Sequence, residues 1–294
     1  VIFSFYNFHT TGKSGWGIPM ATDIAFSLGV LSLLGKRIPV QLKIFLAALA
    51  IIDDLGAVIT IAVFYTAKLN LLFLGFAGIA ALCLIVLNRL KVTNLLLYII
   101  PAFTLWYCIF NSGVHATIAG VITAFTIPLK SLARLEHTLH KPVNFIVMPL
   151  FALANTAIIF PDTISDVFTS SISTGVMLGL IFGKPLGIFL FSFIAIKLGI
   201  ASLPSNTNFK QLWGIGLLGG IGFTMSIFTS TLAYPNEAMQ VISKVSVMAG
   251  SLVAGLIGYT YLSNFKNTAG LKLEHPPKRA KPFHFTPGLK IAGN

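Results

Sequence analysis

Charge is what this chain has least of. Of 294 residues only 10% are Asp, Glu, Lys or Arg, and just 8 of those are acids. With 55% hydrophobic residues and a mean hydropathy of +0.88, so little charge excludes a soluble globular domain of this length and leaves an integral membrane protein. Cysteine is nearly absent too. Cys83 and Cys108 lie inside apolar runs without a metal-ligand spacing, which excludes a disulfide framework or a thiolate metal centre and reads as buried free thiols. Polar interruptions are few before residue 265. The apolar runs are long and rich in Gly and Ala, which excludes barrel strands and points to an α-helical bundle.

What is present is a series of runs long enough to cross roughly 30 Å of hydrocarbon at about 1.5 Å per residue. Nine spans are expected, at 17–34, 40–66, 71–88, 95–110, 113–129, 143–160, 172–196, 211–232 and 238–263. Short loops join them into one transmembrane domain, 1–265. Residues 266–294, with HPPKRAKPFHF, read as a basic, Pro-rich, poorly ordered cytoplasmic tail. The first residue is Val, no signal peptide is visible, and VIFSFYNF looks like the last turns of a helix begun upstream, so a truncated chain is expected.

The net charge of +12 is explained by topology rather than by nucleic acid. One side collects Lys36, Arg37, Lys43, Arg89, Lys91, Lys130, Arg134, Lys141, Lys197, Lys210 and the tail cations. The other receives Lys13, Lys68 and Lys244, together with Asp162, Asp166 and Glu237. This asymmetry puts the C-terminus in the cytoplasm.

Four ionisable residues remain inside spans: Asp23, Asp53, Asp54 and Lys184. Each charged group at a helix centre costs roughly 2.5–3.5 kcal/mol on insertion scales. A purely structural ion-pair network would explain them poorly, since three acids and one base do not balance. The functional reading is cargo exchange: a carboxylate kept from water holds a proton more tightly and releases it when a small cation supplies the compensating charge. Oxygen ligands suit Na⁺ or Li⁺. Adjacent helical residues point about 100° apart, so Asp53 and Asp54 need not share a task. Lys184 sits in GKPLG, where Pro185 bends the helix, and a Lys–Asp pair there would couple two binding events.

Two spans look interrupted. PMATDIAFSLG carries Pro19, Thr22, Asp23 and Gly29, and GLLGGIGFTMSIF carries Gly219, Gly220, Gly222 and Thr224. Both are expected to open into extended backbone, which lipid does not tolerate unless protein or a water cavity satisfies it. A small-residue packing face is the alternative for the glycines. The two interruptions occupy corresponding places in two three-helix groups, as in inverted repeats.

GIPMATDIAFSLGVLSLLGKRIP, LKIFLAALAIIDDLGA, SGVHATIAGV, RLEHTLH, PLFALANT, GKPLGI and GIGFTMSIF, in this order along the chain, resemble the NhaA sodium/proton antiporters. The resemblance implies an all-α, polytopic helical bundle with two broken helices and inverted repeats, the first repeat incomplete because roughly the first three spans are missing. It implies an electrogenic exchanger of the bacterial inner membrane, not an enzyme, which moves Na⁺ or Li⁺ outward against protons by alternating access and needs no cofactor. By motif, Asp54 and Asp53 are the ion- and proton-binding carboxylates, with Asp54 foremost as the direct cation ligand. Lys184 matches the lysine that pairs with the first of these acids, and Asp23 with Thr22 matches the crossing of the broken helices. His115 and Glu136 match positions linked to pH response, one at a helix start and one in a cytoplasmic loop; a helix-end histidine and a solvated acid describe them equally well. Ala133 stands where some relatives have a further cation. The implied partners are the lipid bilayer and the transported ions, with room for a homodimer and none for nucleic acid. Of the rival readings, an intramembrane aspartyl protease lacks its Tyr-Asp and Gly-x-Gly-Asp settings here. A sodium-coupled symporter and a transport-inactive fragment stay open.

Overall fold

A computed structural model describes residues 1–66, 69–158, 164–205 and 207–265. Lys68, Asp162 and the tail after Phe265 lie outside the described residues. The fold is all-α, and the first elements are α1 (Ile2–Asn7), a run of 3₁₀ turns at Thr11–Met20, α2 (Ile24–Leu33) and α3 (Val40–Phe64). There follow α4 (Leu71–Arg89), α5 (Leu96–Ser112), α6 (Thr117–Thr126), α7 (Leu129–Pro142), α8 (Met148–Thr156) and α9 (Ile164–Thr169). The chain continues through α10 (Ser171–Leu178), α11 (Lys184–Lys197), α12 (Phe209–Gly219), α13 (Phe223–Ala233) and α14 (Glu237–Ser263).

Local chemistry sets the ends of these helices. The Asn70 carboxamide accepts from Leu72 N at 3.2 Å, Asn236 accepts from Ala238 N at 2.8 Å, and Asn208 forms a reciprocal capping box with Gln211. Gly113, at φ 87°, ends α5 in the left-handed region that disfavours a side chain. Between the ends the helices are apolar on nearly every face. Ile44, Ile59, Leu82 and Phe191 are exposed, a surface that suits lipid and not water.

Among the described residues four helices are long and apolar enough to cross a membrane, and six if each bent pair counts as one span. The bent pairs are Thr11–Met20 with α2, at 47°, and α12 with α13, at 46°. These are the two interrupted spans expected from their Pro and Gly content. Elsewhere the helices differ from the expected spans in length. The segment 113–129 holds only the ten residues of α6, and 143–160 begins in a π-turn, Val143–Val147, that joins α7 to α8. The RLEH segment, expected as loop, is helical. Its pattern in α7 is amphipathic, with Leu132 and Leu135 half-buried and Arg134, Glu136 and His137 exposed.

Two bodies of core hold the bundle. One panel is α4, α5 and α6, packed through Ala77, Leu84, Tyr98, Leu105 and Ala119. The other gathers both broken spans with α1, α3, α10 and α14 in two clusters, one around Ile18, Leu180 and Ile227 and one around Leu46 and Leu218, with Phe223 packed against both. This second body positions the intramembrane charges.

Candidate functional site

The first interruption begins at Pro19, whose φ of −80° and ψ of 17° leave the helix, and continues in extended backbone at Ala21 and Asp23. Proline supplies no N–H, so the break starts where a donor is missing anyway. The second is different. Ile221 lies outside either helix, between Gly220 and Gly222, which keep near-helical dihedrals at the two edges of the break. Its glycines are required by proximity: a Cβ at Gly220 would collide with the carbonyl oxygen of Leu180.

Backbone groups freed at one break are taken up largely by the other. Asp23 N donates to Ile221 O at 2.7 Å, Ser27 Oγ to Leu218 O at 3.0 Å, and Thr22 Oγ1 to Gly219 O at 3.0 Å. The Asp23 carboxylate caps both half-helices. Oδ1 accepts from Phe26 N in α2, and Oδ2 accepts from Thr224 N in α13, each at 3.0 Å, with Thr224 Oγ1 donating to Oδ2 at 2.5 Å. Each helix N-terminus carries about half a positive charge, so one carboxylate between two of them is close to neutral. Asp23 is only 2% exposed and Thr22 is fully buried.

The acid pair lies on α3, which passes the breaks unbroken. Asp53 Oδ2 is 3.1 Å from Lys184 Nζ and 2.8 Å from Thr22 Oγ1, whose single proton it shares with Gly219 O. Lys184 enters from α11, where a π-turn at Gly179–Gly183 precedes it and its backbone N–H reaches back to Gly179 O. The widened turn accommodates Pro185 without ending the span. The Lys184 side chain is 8% exposed, and its ammonium is buried with no other ion pair within 4 Å among the described residues. Asp54, the next residue on α3, is half-buried and close enough to feel the charges of Lys184, Asp23 and Asp53, and its Oδ1 is shielded from solvent without a hydrogen-bond partner among the described residues. An open cavity of about 590 Å³ reaches Asp53 and Lys184, past Trp16, Pro19 and Met20.

Two of the sequence-derived residues lie apart from this group. His115, half-buried just before α6, packs its ring 5.6 Å from Phe228 of α13 and so touches the second broken span, not the acids. Glu136 is exposed on α7, beside a groove lined by Trp106, Thr123 and Leu135. One participant escaped the sequence reading: Ser251 of α14, whose Oγ accepts from Gly222 N at 3.2 Å and Phe223 N at 3.1 Å. The signal for it was Gly222 itself, an N-cap without a side chain, which leaves the first N–H groups of α13 to be satisfied from another helix.

A multi-pass helical membrane protein in which two interrupted spans meet at a buried carboxylate, beside a lysine-paired acid on a continuous helix, is the class these features define. The family model described as Na⁺/H⁺ antiporter 1 matches residues 1–262, and the chain belongs to that family. It is 52% identical over 278 residues to the Na⁺/H⁺ antiporter NhaA of Flavobacterium psychrophilum, covering 91% of this chain and 71% of that protein. Over 271 residues it is 49% identical to Na⁺/H⁺ antiporter NhaA 2 of Flavobacterium johnsoniae, covering 90% of this chain and 66% of that one. A third relative, Na⁺/H⁺ antiporter NhaA 1 of Brucella anthropi, is 48% identical over 274 residues, or 89% and 70% of the two chains. The chain thus spans about two thirds of the length of these relatives.

Proposed function

We propose that this chain carries the exchange site of an electrogenic Na⁺/H⁺ antiporter of the bacterial inner membrane, with Li⁺ as an alternative cargo and the C-terminus in the cytoplasm. The observation that carries the reading is the state of the three acids. Asp23 is offset by two helix ends and Asp53 by direct contact with Lys184, which leaves Asp54 as the intramembrane carboxylate without a paired cation within 4 Å among the described residues, the Lys184 charge reaching it only from further off. A proton or a small cation neutralises Asp54 equally well, so the two compete for one place. Asp53, held by Lys184 and Thr22, is the second exchangeable carboxylate, and the Lys184 ammonium replaces the cation's charge when the cation leaves. Two carboxylates serving one cation allow more protons inward than cations outward, which moves net charge. Access alternates as the broken-helix body rocks against its surroundings, with the two breaks related as arms of inverted repeats. His115 and Glu136 belong to the pH response, His115 acting on α13 through Phe228.

The test is Na⁺-induced collapse of a respiration-driven ΔpH in everted vesicles that contain the chain, compared with Asp54→Asn. Sodium dequenches the probe with the intact chain and fails to do so with the variant. Equal responses from both sink the assignment of Asp54. No cation-dependent proton flux from the intact chain at any pH favours the transport-inactive fragment, the reading that its shorter span relative to the antiporters would then support.

A further inference from the structure

The N-terminus of α13 is held by two side chains of different kind. Asp23 takes Thr224 N, and the neutral hydroxyl of Ser251 takes Gly222 N and Phe223 N. Gly222 has no side chain with which to cap its own helix, and Ser251, 4% exposed, supplies the cap from 29 residues further along. A neutral acceptor matters here. The Asp23 charge already offsets both half-helix ends, so a second carboxylate would overcompensate them, while an apolar residue would leave two buried N–H groups unmet.

Ser251 also stands at a junction. Its neighbour Gly250 faces the π-turn and the helix that lead to Lys184, where a Cβ on it would lie in van der Waals contact, 3.4 Å from Leu180 Cδ1 and from Met177 Cα. One turn on, Ala254 Cβ would lie 3.2 Å from a Cβ on Gly220. The Gly250–Ala254 turn of α14 therefore touches both the π-turn that delivers Lys184 and the break that meets Asp23.

We infer that Ser251 is a positioning residue for the exchange reaction: it fixes the start of α13 where Thr224 reaches Asp23, and through Asp23 and the adjoining Thr22 it sets the approach of Thr22 to Asp53. The inference rests on the antiport reading above for its functional half. Its structural half stands by itself. A shift of α14 relative to the π-turn has to carry the break with it or release two backbone donors.

The test uses the full chain with Ser251→Ala, and Ser251→Cys as a second variant of nearly native size and weak acceptor strength. Ser251→Thr keeps the hydroxyl, and Ser246→Ala is a control, because the Ser246 hydroxyl donates within α14, to Ile242 O. Amide exchange at Gly222 and Phe223 speeds up about tenfold or more in the Ala and Cys variants and stays native in Ser251→Thr and Ser246→Ala. The apparent KM for Na⁺ rises about fivefold in the same two variants, with the pH profile displaced and the maximal rate within about twofold of native. Unchanged amide exchange in Ser251→Ala and Ser251→Cys overturns the cap. Faster amide exchange with native KM and native pH profile reduces Ser251 to a structural contact and overturns the positioning role. Absence of sodium-dependent proton flux in the unmutated chain defeats the antiport reading instead, and amide exchange still decides the cap.

Discussion

Replacing Asp23 by Asn keeps the shape of the side chain and removes its charge and one acceptor. In the native chain Oδ1 serves Phe26 N and Oδ2 serves both Thr224 N and Thr224 Oγ1. The carboxamide has one oxygen for these donors and turns its NH₂ toward whichever helix end it cannot serve. Leaving a buried N–H unmatched costs about 1–3 kcal/mol. Losing the charge at two N-termini costs further, at about 0.3–1 kcal/mol per end on a surface and up to about 2 when partly buried. Since Asp23 is 2% exposed, solvent screens little of this, and a loss of about 2–5 kcal/mol is expected. Unfolding in mixed micelles of increasing SDS fraction, followed by tryptophan fluorescence, measures it. Trp16 sits immediately before the first break and Trp213 within α12, so both report on the region under test. If Asp23→Asn unfolds within about 0.5 kcal/mol of the native chain, the two helix ends do not carry the charge assigned to them and the accounting that isolates Asp54 fails with them.

Asp53→Asn leaves the Lys184 ammonium, 8% exposed, without its counter-ion and should destabilise by about 3 kcal/mol; adding Lys184→Met should recover most of that. The same micelle titration run as a double-mutant cycle decides it, and additive losses would mean that the 3.1 Å pair contributes nothing. Gly220→Ala should cost about 2 kcal/mol or prevent folded protein from accumulating, because the added methyl meets the backbone carbonyl of Leu180. Gly78→Ala in α4 meets nothing within 4 Å and should be neutral or stabilising by up to about 1 kcal/mol. Equal monodispersity and melting for these two alanine variants would refute the close crossing.

The long helices were the most readable part of this protein. A run such as LKIFLAALAIIDDLGAVITIAVF has one low-energy arrangement in lipid, and it forms the unbroken α3. The first break was readable as well, because Pro19 removes a donor and Asp23 is a ready N-cap, both local properties. The second break was legible only as a weakness. Glycines at 219, 220 and 222 permit extended backbone, yet Gly220 and Gly222 themselves keep near-helical dihedrals, and what Gly220 answers is the carbonyl of Leu180, forty positions earlier. For Ser251 the only signal was indirect, the missing side chain at Gly222, since a serine on the small-residue face of a helix looks the same whether it serves its own backbone or another helix's. For Glu136 the error was one of local structure: KSLARLEHTLHKP, residues 130–142, was expected as a loop, although its leucine spacing is that of the amphipathic α7.

The sequence by itself determined that this chain lives in a membrane and that Asp23, Asp53, Asp54 and Lys184 had to be accounted for there. Transfer of a residue into lipid depends on its own chemistry and that of its near neighbours, so composition and run length are sufficient evidence. Only the tertiary structure decided how each charge is met. It gave Asp23 two helix ends, gave Asp53 the ammonium of Lys184 and the hydroxyl of Thr22, and left Asp54 Oδ1 without a partner among the described residues. Apart from the local cap of Asp23 on Phe26, these pairings depend on ångström-scale approach between segments 31 to 201 residues apart, and hydrogen bonds and ion pairs of this kind lose their strength within an ångström or two of separation.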